Sequence, residues 1–574
     1  MLVLGVTNND LAGACLVRDG QVIAAASEER FTRIKDHKVW PQQSIDFVLR
    51  EAGTSLDEVD RVAYGWAAGF DADKHLLLYV DRIAEEARFR PDSLPHLRKR
   101  IADELHNDKA KRAEFDEFVD RNGLRSKTVY TDHHESHGLG AFLCSPFDDA
   151  LVVTCDGRGD FQSLTVTHCT ADGEEVLQRE TSIDSLGYFY GRITKLLGFK
   201  PNRHEGKITG LAAKGDPEKL LPLMQLMIGL EDGAIRARCG DYYQPSYEGY
   251  SEELLAEIAR HDPSDVAAAA QRHVEDLLTA VVARHIDKVA TSNVCLSGGV
   301  FANVKLNQRI FEVAGVENLY VLPPMGDGGL PLQAAVVTEY RETGARSRLP
   351  SMALGPDSTI SEAQLEEILK DYPGIRFQRA DQGIQDTLLA ALEARQVIGT
   401  YRGRMEFGPR ALGRRSVIYS TDDPTMNDWL NQRLKRTEFM PFAPLTAEEL
   451  AADAYVGWKP EHPAPLFMTL TYECTEIFAK TCPAVVHVDN TARPQIVRKQ
   501  DDSFLHSLLL SWYARSGQAA LVNTSFNKHE EPIVGSHRDA LDPLRDEIVD
   551  LLLIDDVYLV WKEKPGSFMA EHGA

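Results

Sequence analysis

The chain reads as an α/β protein whose N-terminal part is built twice. Three observations carry that reading. Residues 2–6, 13–17 and 21–26 are apolar, strand-forming runs, the last two joined by the hairpin turn Arg18-Asp19-Gly20. The same order returns at 150–155, 163–169 and 174–178, with Ala171-Asp172-Gly173 as the turn. Elsewhere the apolar period becomes helical, as at Leu254, Ile258, Val266, Leu277, Leu278, Val281 and Ile286. Two related α/β halves suggest a cleft between them, and phosphates and nucleotides bind well in such clefts.

The other elements follow in order. The strand over 150–155 leads into Asp156-Gly157, where a carboxylate ending an apolar run at a glycine turn can stand in a cleft. Residues 251–288 are helical, with a break at Asp262-Pro263. Residues 293–297 form a strand that Gly298-Gly299 breaks, and 319–322 form another that runs into Pro323-Pro324-Met325-Gly326-Asp327. The polar, Gly/Pro-punctuated stretch 341–350 has the character of a linker, giving domains 1–350 and 351–574. In the second α/β segment Ser361 caps a helix, 384–395 is helical and 397–401 is a buried strand.

Composition bounds the function. The 574 residues carry a formal charge of -24, which repels phosphate backbones and disfavours a nucleic-acid partner. None of the 8 cysteines forms Cys-x-x-Cys, so they read as reduced core residues of a cytoplasmic protein. No basic-then-apolar leader and no bilayer-length apolar run is read, so no membrane partner is expected.

Several patterns suit chemistry. His133 and His137 are four apart, so on a helix their imidazoles share one face, a spacing that fits two ligands of one metal ion. With Asp156 they make a set suited to Fe(II), Zn(II) or Mn(II). Asp327 is a candidate fourth ligand, or alternatively the cap of a helix starting near Leu330. His134-Glu-Ser-His137 is not His-Glu-x-x-His, so no metalloprotease motif is present. The glycines of 205–215 surround Lys207 and Lys214 in what reads as a phosphate-binding turn or an ordinary one. Ser297-Gly298-Gly299 follows a strand and precedes a helix, a place where small residues and a helix N-terminus meet a nucleotide. Arg402, Arg404, Arg410, Arg414 and Arg415 form a dense cationic run in an acidic chain. Guanidiniums bind phosphate or carboxylate in pairs of hydrogen bonds, and Gly408-Pro409 would hold Arg410 on a rigid turn. A solvated helix face is the alternative, and it accounts fairly well for Arg414 and Arg415.

Together these segments resemble the carbamoyltransferase family that includes the tobramycin, cephamycin and nodulation-factor O-carbamoyltransferases. The most specific part is Gly408-Pro-Arg-Ala-Leu-Gly-Arg-Arg-Ser416. It is supported by His133-His-x-x-His137, Asp156-Gly157, Gly206-Lys-x-x-Gly-Leu-Ala-Ala213, Gly298-Gly-Val-x-x-Asn303 and Asn523-Thr-Ser-Phe-Asn527. The resemblance implies an actin-like N-terminal domain, of the ASKHA type and similar to the tRNA threonylcarbamoyl transferase. It implies a YrdC-like α/β domain at the C-terminus. It implies that carbamoyl phosphate and ATP give carbamoyl-adenylate, and that the carbamoyl group then passes to the hydroxyl of a small natural-product acceptor. On the same basis Fe(II) is expected on His133, His137, Asp156 and Asp327, and Mg(II) with ATP. The nucleotide is expected against Lys207, Gly210, Gly298, Gly299 and Asn303. Arg410, Lys435, Arg436, Arg493, Asn523 and Ser525 are expected to handle carbamoyl phosphate and ATP, with Arg410 and Lys435 catalytic.

Two positions depart from the family pattern. Asp10 stands where the family commonly has a histidine, a candidate base. Asp10 or another group such as His134 would then take that role, or the acceptor would differ, for example an amine. Met440 stands before Pro-Phe-Ala-Pro where many members have arginine, so Arg436 would supply that phosphate contact. Two other readings compete: a threonylcarbamoyl-type tRNA modifier, which the charge disfavours, and a non-catalytic actin-like nucleotide-binding regulator. Oligomeric state is left open, a homo-oligomer being compatible.

Overall fold

A computed structural model describes residues 1–9, 11–66, 72–244, 249–380, 383–434, 441–564 and 568–569. Asp10, Lys435, Arg436 and Met440 lie outside the described residues. The chain divides into two compact units: Met1–Ala25 with Lys38–Leu349, and Ala26–His37 with Pro350–Ala574. A cut at 350 alone therefore misassigns one short segment, 26–37.

The first unit contains the duplication. Its first sheet holds β1 (Leu2–Thr7), β2 (Gly13–Arg18), β3 (Gln21–Ser27), β4 (Arg61–Tyr64) and β5 (Thr128–Tyr130), in the order β3-β2-β1-β4-β5. β1 is antiparallel to β2 and parallel to β4, which is parallel to β5. The second begins with β6 (Asp149–Gly159), β7 (Gln162–Thr170) and β8 (Gly173–Thr181). After a separate hairpin of β9 (Ile228–Glu231) and β10 (Ala234–Ala237) come β11 (Asn293–Ser297) and β12 (Asn318–Val321). Their order is β12-β11-β6-β7-β8, with β6, β11 and β12 parallel and β6 antiparallel to β7. The two sheets thus repeat one plan: an antiparallel meander whose first strand is extended by two parallel strands. This is the actin-like duplicated α/β arrangement.

Between the repeats, helix His133–Cys144 packs on β6, β7 and β11, and helix Leu330–Thr343 on β1, β2 and β4, and the two helices pack on each other. The sequence favours this layer because small or apolar residues run through both: Gly138, Gly140 and Ala141 on one, Ala334, Ala335 and Val336 on the other, all buried. The glycine-bearing segment 205–215, read as a turn, opens with a helix, Glu205–Ala212, so Lys207 and Gly210 stand on a helix.

The second unit is built on one mixed sheet. Its strands are β13 (Ile375–Arg379), β14 (Ile398–Tyr401), β15 (Ser416–Tyr419), β16 (Ala443–Ala447), β19 (Gln495–Val497), β20 (Leu521–Ser525), β21 (Leu551–Ile554) and β22 (Tyr558–Lys562). The short β17 (Tyr472–Glu473) and β18 (Thr491–Ala492) pair separately. The order is β13-β22-β21-β14-β15-β20-β16-β19. Helices Ile384–Glu393 and Ser503–Ser516 cover its core through Leu388, Leu392, Leu505, Leu509 and Trp512, packed with Ile398, Leu445 and Leu551. Ser361 caps its helix in a reciprocal box with Gln364, as its sequence predicts.

Candidate functional site

The site in the first unit grows from the ends of three parallel strands. In sheets of this kind, ligands gather where parallel strands finish. Asp156 does not end β6 at a turn, as the sequence suggested. β6 runs on to Gly159, but its register against β7 shifts between Cys155 and Gly159. Such an irregularity bends a strand and re-aims a side chain, and Asp156 lies within it. Asp327 follows β12 in a one-turn 3-10 helix, Asp327–Gly329. It does not cap the next helix: the residue before Leu330 is Gly329, and no side chain caps that start.

Facing these carboxylates is the first turn of helix His133–Cys144. Asp132 caps it, accepting from Glu135 N at 2.8 Å, and its other oxygen takes Gln162 Nε2 at 3.0 Å and pairs with His75 Nε2 at 2.9 Å. The backbone N–H of His133 donates to Asp160 Oδ2 at 2.8 Å. The turn is thus fixed at both its backbone and its cap. Gly159 lies against His133 so closely that a Cβ there would fall 1.9 Å from the imidazole. Gly298, with φ +100°, lets its loop pass over Cys155, where a Cβ would meet the carbonyl at 2.2 Å. Only glycine meets both conditions.

The four expected ligands come together. One donor atom from each of His133, His137, Asp156 and Asp327 lies within 4.8 Å of all the others. His133 Nε2 is 3.2 Å from Asp156 Oδ2 and 3.6 Å from Asp327 Oδ1, and His137 Nε2 is 3.6 Å from each. Ligands each about 2.0–2.2 Å from a shared ion must be spaced about this far apart. The buried Nε2 of His137 makes no well-formed hydrogen bond within the protein, as a metal ligand would not. Its Nδ1 is 3.4 Å from Ser297 Oγ, which Gln333 Nε2 also reaches at 2.9 Å. A partner on the remaining ring nitrogen is what orients a ligating histidine. The donor set, two imidazoles and two carboxylates, therefore fits a divalent transition metal.

Electrostatics agree. Burial would lower the His133 pKa, but the hydrogen bond to Asp156 and the charges of Asp327, Asp156 and Asp160 outweigh it and raise it to about 9. Burial would raise Asp156, yet His134 and His133 hold its carboxylate well below the usual range. A cation is what this pocket of carboxylates attracts.

Close by, Gly298 N donates to Met325 O at 2.7 Å, so the Gly298-Gly299 loop and the Asp327 loop adjoin. Asn303 is a helix cap, its Oδ1 accepting from Leu306 N at 3.1 Å, while its Nδ2 donates to Gln271 Oε1 at 2.8 Å. Gln271 in turn joins Tyr190 and, through it, Thr209 of the Lys207 helix. The expected nucleotide segments are thereby linked in one unit.

In the second unit, three expected segments also converge. Asn523 Nδ2 donates to Ala411 O at 3.2 Å and to Gln495 Oε1 at 2.7 Å, and Gln495 Nε2 donates to Leu412 O at 3.0 Å. The Arg410 loop, the strand after Arg493 and the strand carrying Asn523 and Ser525 are so tied together. Ser525 donates to Asn527 Oδ1 at 2.6 Å.

Three other arginines of the cationic run are architecture. Arg415 is not on a solvated helix face: it is fully buried, donates to the carbonyls of Arg402, Gly403, Arg414 and Pro356, and lies 3.9 Å from the Tyr401 ring centroid. Arg402 is buried between Asp502 and Asp556. Arg404 donates to Leu354 O. Two contributors escaped the sequence reading. Glu406 Oε1 accepts the N–H groups of Leu412, Arg414 and Arg415 at 2.6, 2.8 and 3.2 Å and so shapes the loop from inside. Arg30, from the 26–37 segment, donates to Gly408 O at 3.1 Å.

Comparison with known proteins agrees with this layout. Residues 3–336 match the family model described as Carbamoyltransferase N-terminus, and 389–561 match Carbamoyltransferase C-terminus. The chain is 30% identical over 572 residues to an uncharacterized protein of Methanocaldococcus jannaschii, covering 98% of this chain and 100% of that one. It is 32% identical over 558 residues to nodulation protein NolNO of Sinorhizobium fredii, covering 96% of this chain and 78% of that one. It is 30% identical over 442 residues to nodulation protein NolO of Bradyrhizobium diazoefficiens, covering 76% and 79%.

Proposed function

The chain belongs to the carbamoyltransferase family, and we propose that it makes carbamoyl-adenylate and transfers its carbamoyl group to a hydroxyl of a small natural product. Membership in a transferase family sets aside the regulator reading. Water and carbamoyl phosphate give carbamate and phosphate; carbamate displaces pyrophosphate from ATP; the acceptor oxygen then displaces AMP and loses its proton. The observation that carries the reading is the convergence of His133, His137, Asp156 and the half-buried Asp327 in one cluster.

In this reading the second unit, acting like a YrdC-type adenylate-forming domain, handles the first two steps. Arg410, held on the loop that Asn523, Gln495 and Glu406 fix, binds carbamoyl phosphate, with Arg493 and Ser525 proposed for the same substrate. The guanidinium neutralises phosphate charge as it redistributes. Lys435 and Arg436 are proposed for the same substrates on the family resemblance. The first unit takes the transfer, with adenylate against Lys207, Gly210, Gly298, Gly299 and Asn303. Fe(II) is the proposed metal on the four ligands, and Mg(II) accompanies ATP. The bound metal would supply Lewis-acid polarisation of a phosphate or carbonyl oxygen. Asp10 is the proposed base for the acceptor hydroxyl. No helix among the described residues is long and apolar enough to cross a membrane. A cytoplasmic setting is proposed from the buried, unpaired cysteines. The relatives named nodulation proteins support a small-molecule acceptor, and the charge of -24 argues against tRNA.

The test is transfer itself. Purified enzyme with Fe(II), ATP and carbamoyl phosphate should carbamoylate an alcohol from a panel of natural products, read by mass. Carbamoylated tRNA and no carbamoylated small molecule would contradict the acceptor class.

A further inference from the structure

Resting on the metal centre just described, we propose that His134 is a positioning residue that holds Asp156 to the ion through one oxygen only. The geometry divides that carboxylate in two. Oδ2 faces His133 Nε2 at 3.2 Å and His137 Nε2 at 3.6 Å, while Oδ1 faces His134 Nε2 at 3.5 Å. His134 follows His133 by one residue, so it projects about 100° further round the helix. It approaches Asp156 from beside the face that the two ligands share, and it is outside the set of four whose donor atoms lie within 4.8 Å of one another.

The position is costly without a purpose. His134 is 2% exposed, and neither ring nitrogen makes a well-formed hydrogen bond within the protein; nor does Asp156 Oδ1. A buried polar pair left so loosely matched loses stability. A neutral imidazole has one N–H to give. Placed on Nε2, it lies 3.5 Å from Asp156 Oδ1, an oxygen to which no described residue makes a well-formed hydrogen bond. At 3.5 Å the contact is a long one, so it steers Asp156 without removing it from the cluster.

The consequence is coordination number. A carboxylate with both oxygens free can chelate an ion and fill a position that a phosphate or carbonyl oxygen of the substrate needs. With His134 beside Oδ1, Asp156 would present Oδ2 alone to an ion and leave that position for substrate. This assigns His134 to the metal's surroundings.

Co(II) alone, added to the full chain, tests this by equilibrium binding and by its visible spectrum, whose intensity falls as coordination number rises. Wild type should bind one Co(II), and His133→Ala should bind none. His134→Ala should still bind one, with affinity lowered about 10–100-fold and a weaker, shifted band. His134→Gln, whose amide N–H can reach the same oxygen, should restore both. An unchanged affinity and spectrum in His134→Ala overturns the positioning role while leaving the metal centre intact. Complete loss of Co(II) in a folded His134→Ala also overturns it, since His134 would then be a ligand. Failure of wild type to bind Co(II) overturns the metal centre and this role with it.

Discussion

A methyl group at position 159 would occupy the space of the His133 ring, 1.9 Å from its nearest carbon. Gly159→Ala is therefore expected to push His133 off its position and weaken metal binding at least as much as loss of an outer hydrogen bond, about 10–100-fold. Co(II) titration of the folded variant checks it; unchanged affinity would mean that the strand yields instead. A second residue-scale prediction concerns Asp502, which meets Arg402 Nη1 at 2.9 Å. Burial would raise the Asp502 pKa, but the charge and hydrogen bonds of Arg402 outweigh it and lower it. A carboxyl lowered in the folded state stabilises fully above its unfolded value, about 3.9, and that stabilisation disappears as the pH falls through the folded value. Asp502→Asn is expected to cost about 2 kcal/mol near neutral pH. In denaturant melts the gap to wild type should narrow as the pH drops below about 4, and a gap independent of pH would contradict the assignment.

Elements explain what could be read in advance. The repeated strand-turn-strand pattern revealed the duplication because alternating apolar runs and Asp-Gly turns act locally. The histidine pair was legible because helical spacing alone puts His133 and His137 on one face. What escaped depends on contacts distant in sequence. Arg402 and Arg415 have the composition of a phosphate site, yet their partners, Asp502, Asp556 and Pro356, lie 59 to 154 residues away, and nothing local signals burial. The β6 irregularity at Asp156 needs β7 to define it. The 26–37 segment was the least legible. Its Arg33 donates to Ile533 O at 2.7 Å and Pro532 O at 2.9 Å, and its Arg30 to Gly408 O. Arg30→Ala should therefore loosen the Gly408-Pro409-Arg410 turn. We expect the carbamoyl-phosphate-dependent step to fall on the order of 10–100-fold, as for a misplaced catalytic group, with overall folding retained by circular dichroism. A variant with unaltered KM and kcat would show that the turn stands without it.

At the scale of the whole molecule, the proposed function gives the two units different steps, so their variants should fail differently. His137→Ala removes a proposed metal ligand in the first unit. It is expected to keep pyrophosphate formation in a first turnover and to lose carbamoyl transfer. Arg410→Ala, in the second, should lose both. Equal loss of pyrophosphate in the two variants would contradict the division of labour. The most direct measurement is pyrophosphate release from ATP by the Fe(II)-loaded wild-type chain, with and without carbamoyl phosphate. Release that requires carbamoyl phosphate and disappears in Arg410→Ala is the predicted result. A chain that binds ATP yet forms no pyrophosphate under either condition, with acceptors present, would contradict adenylate chemistry.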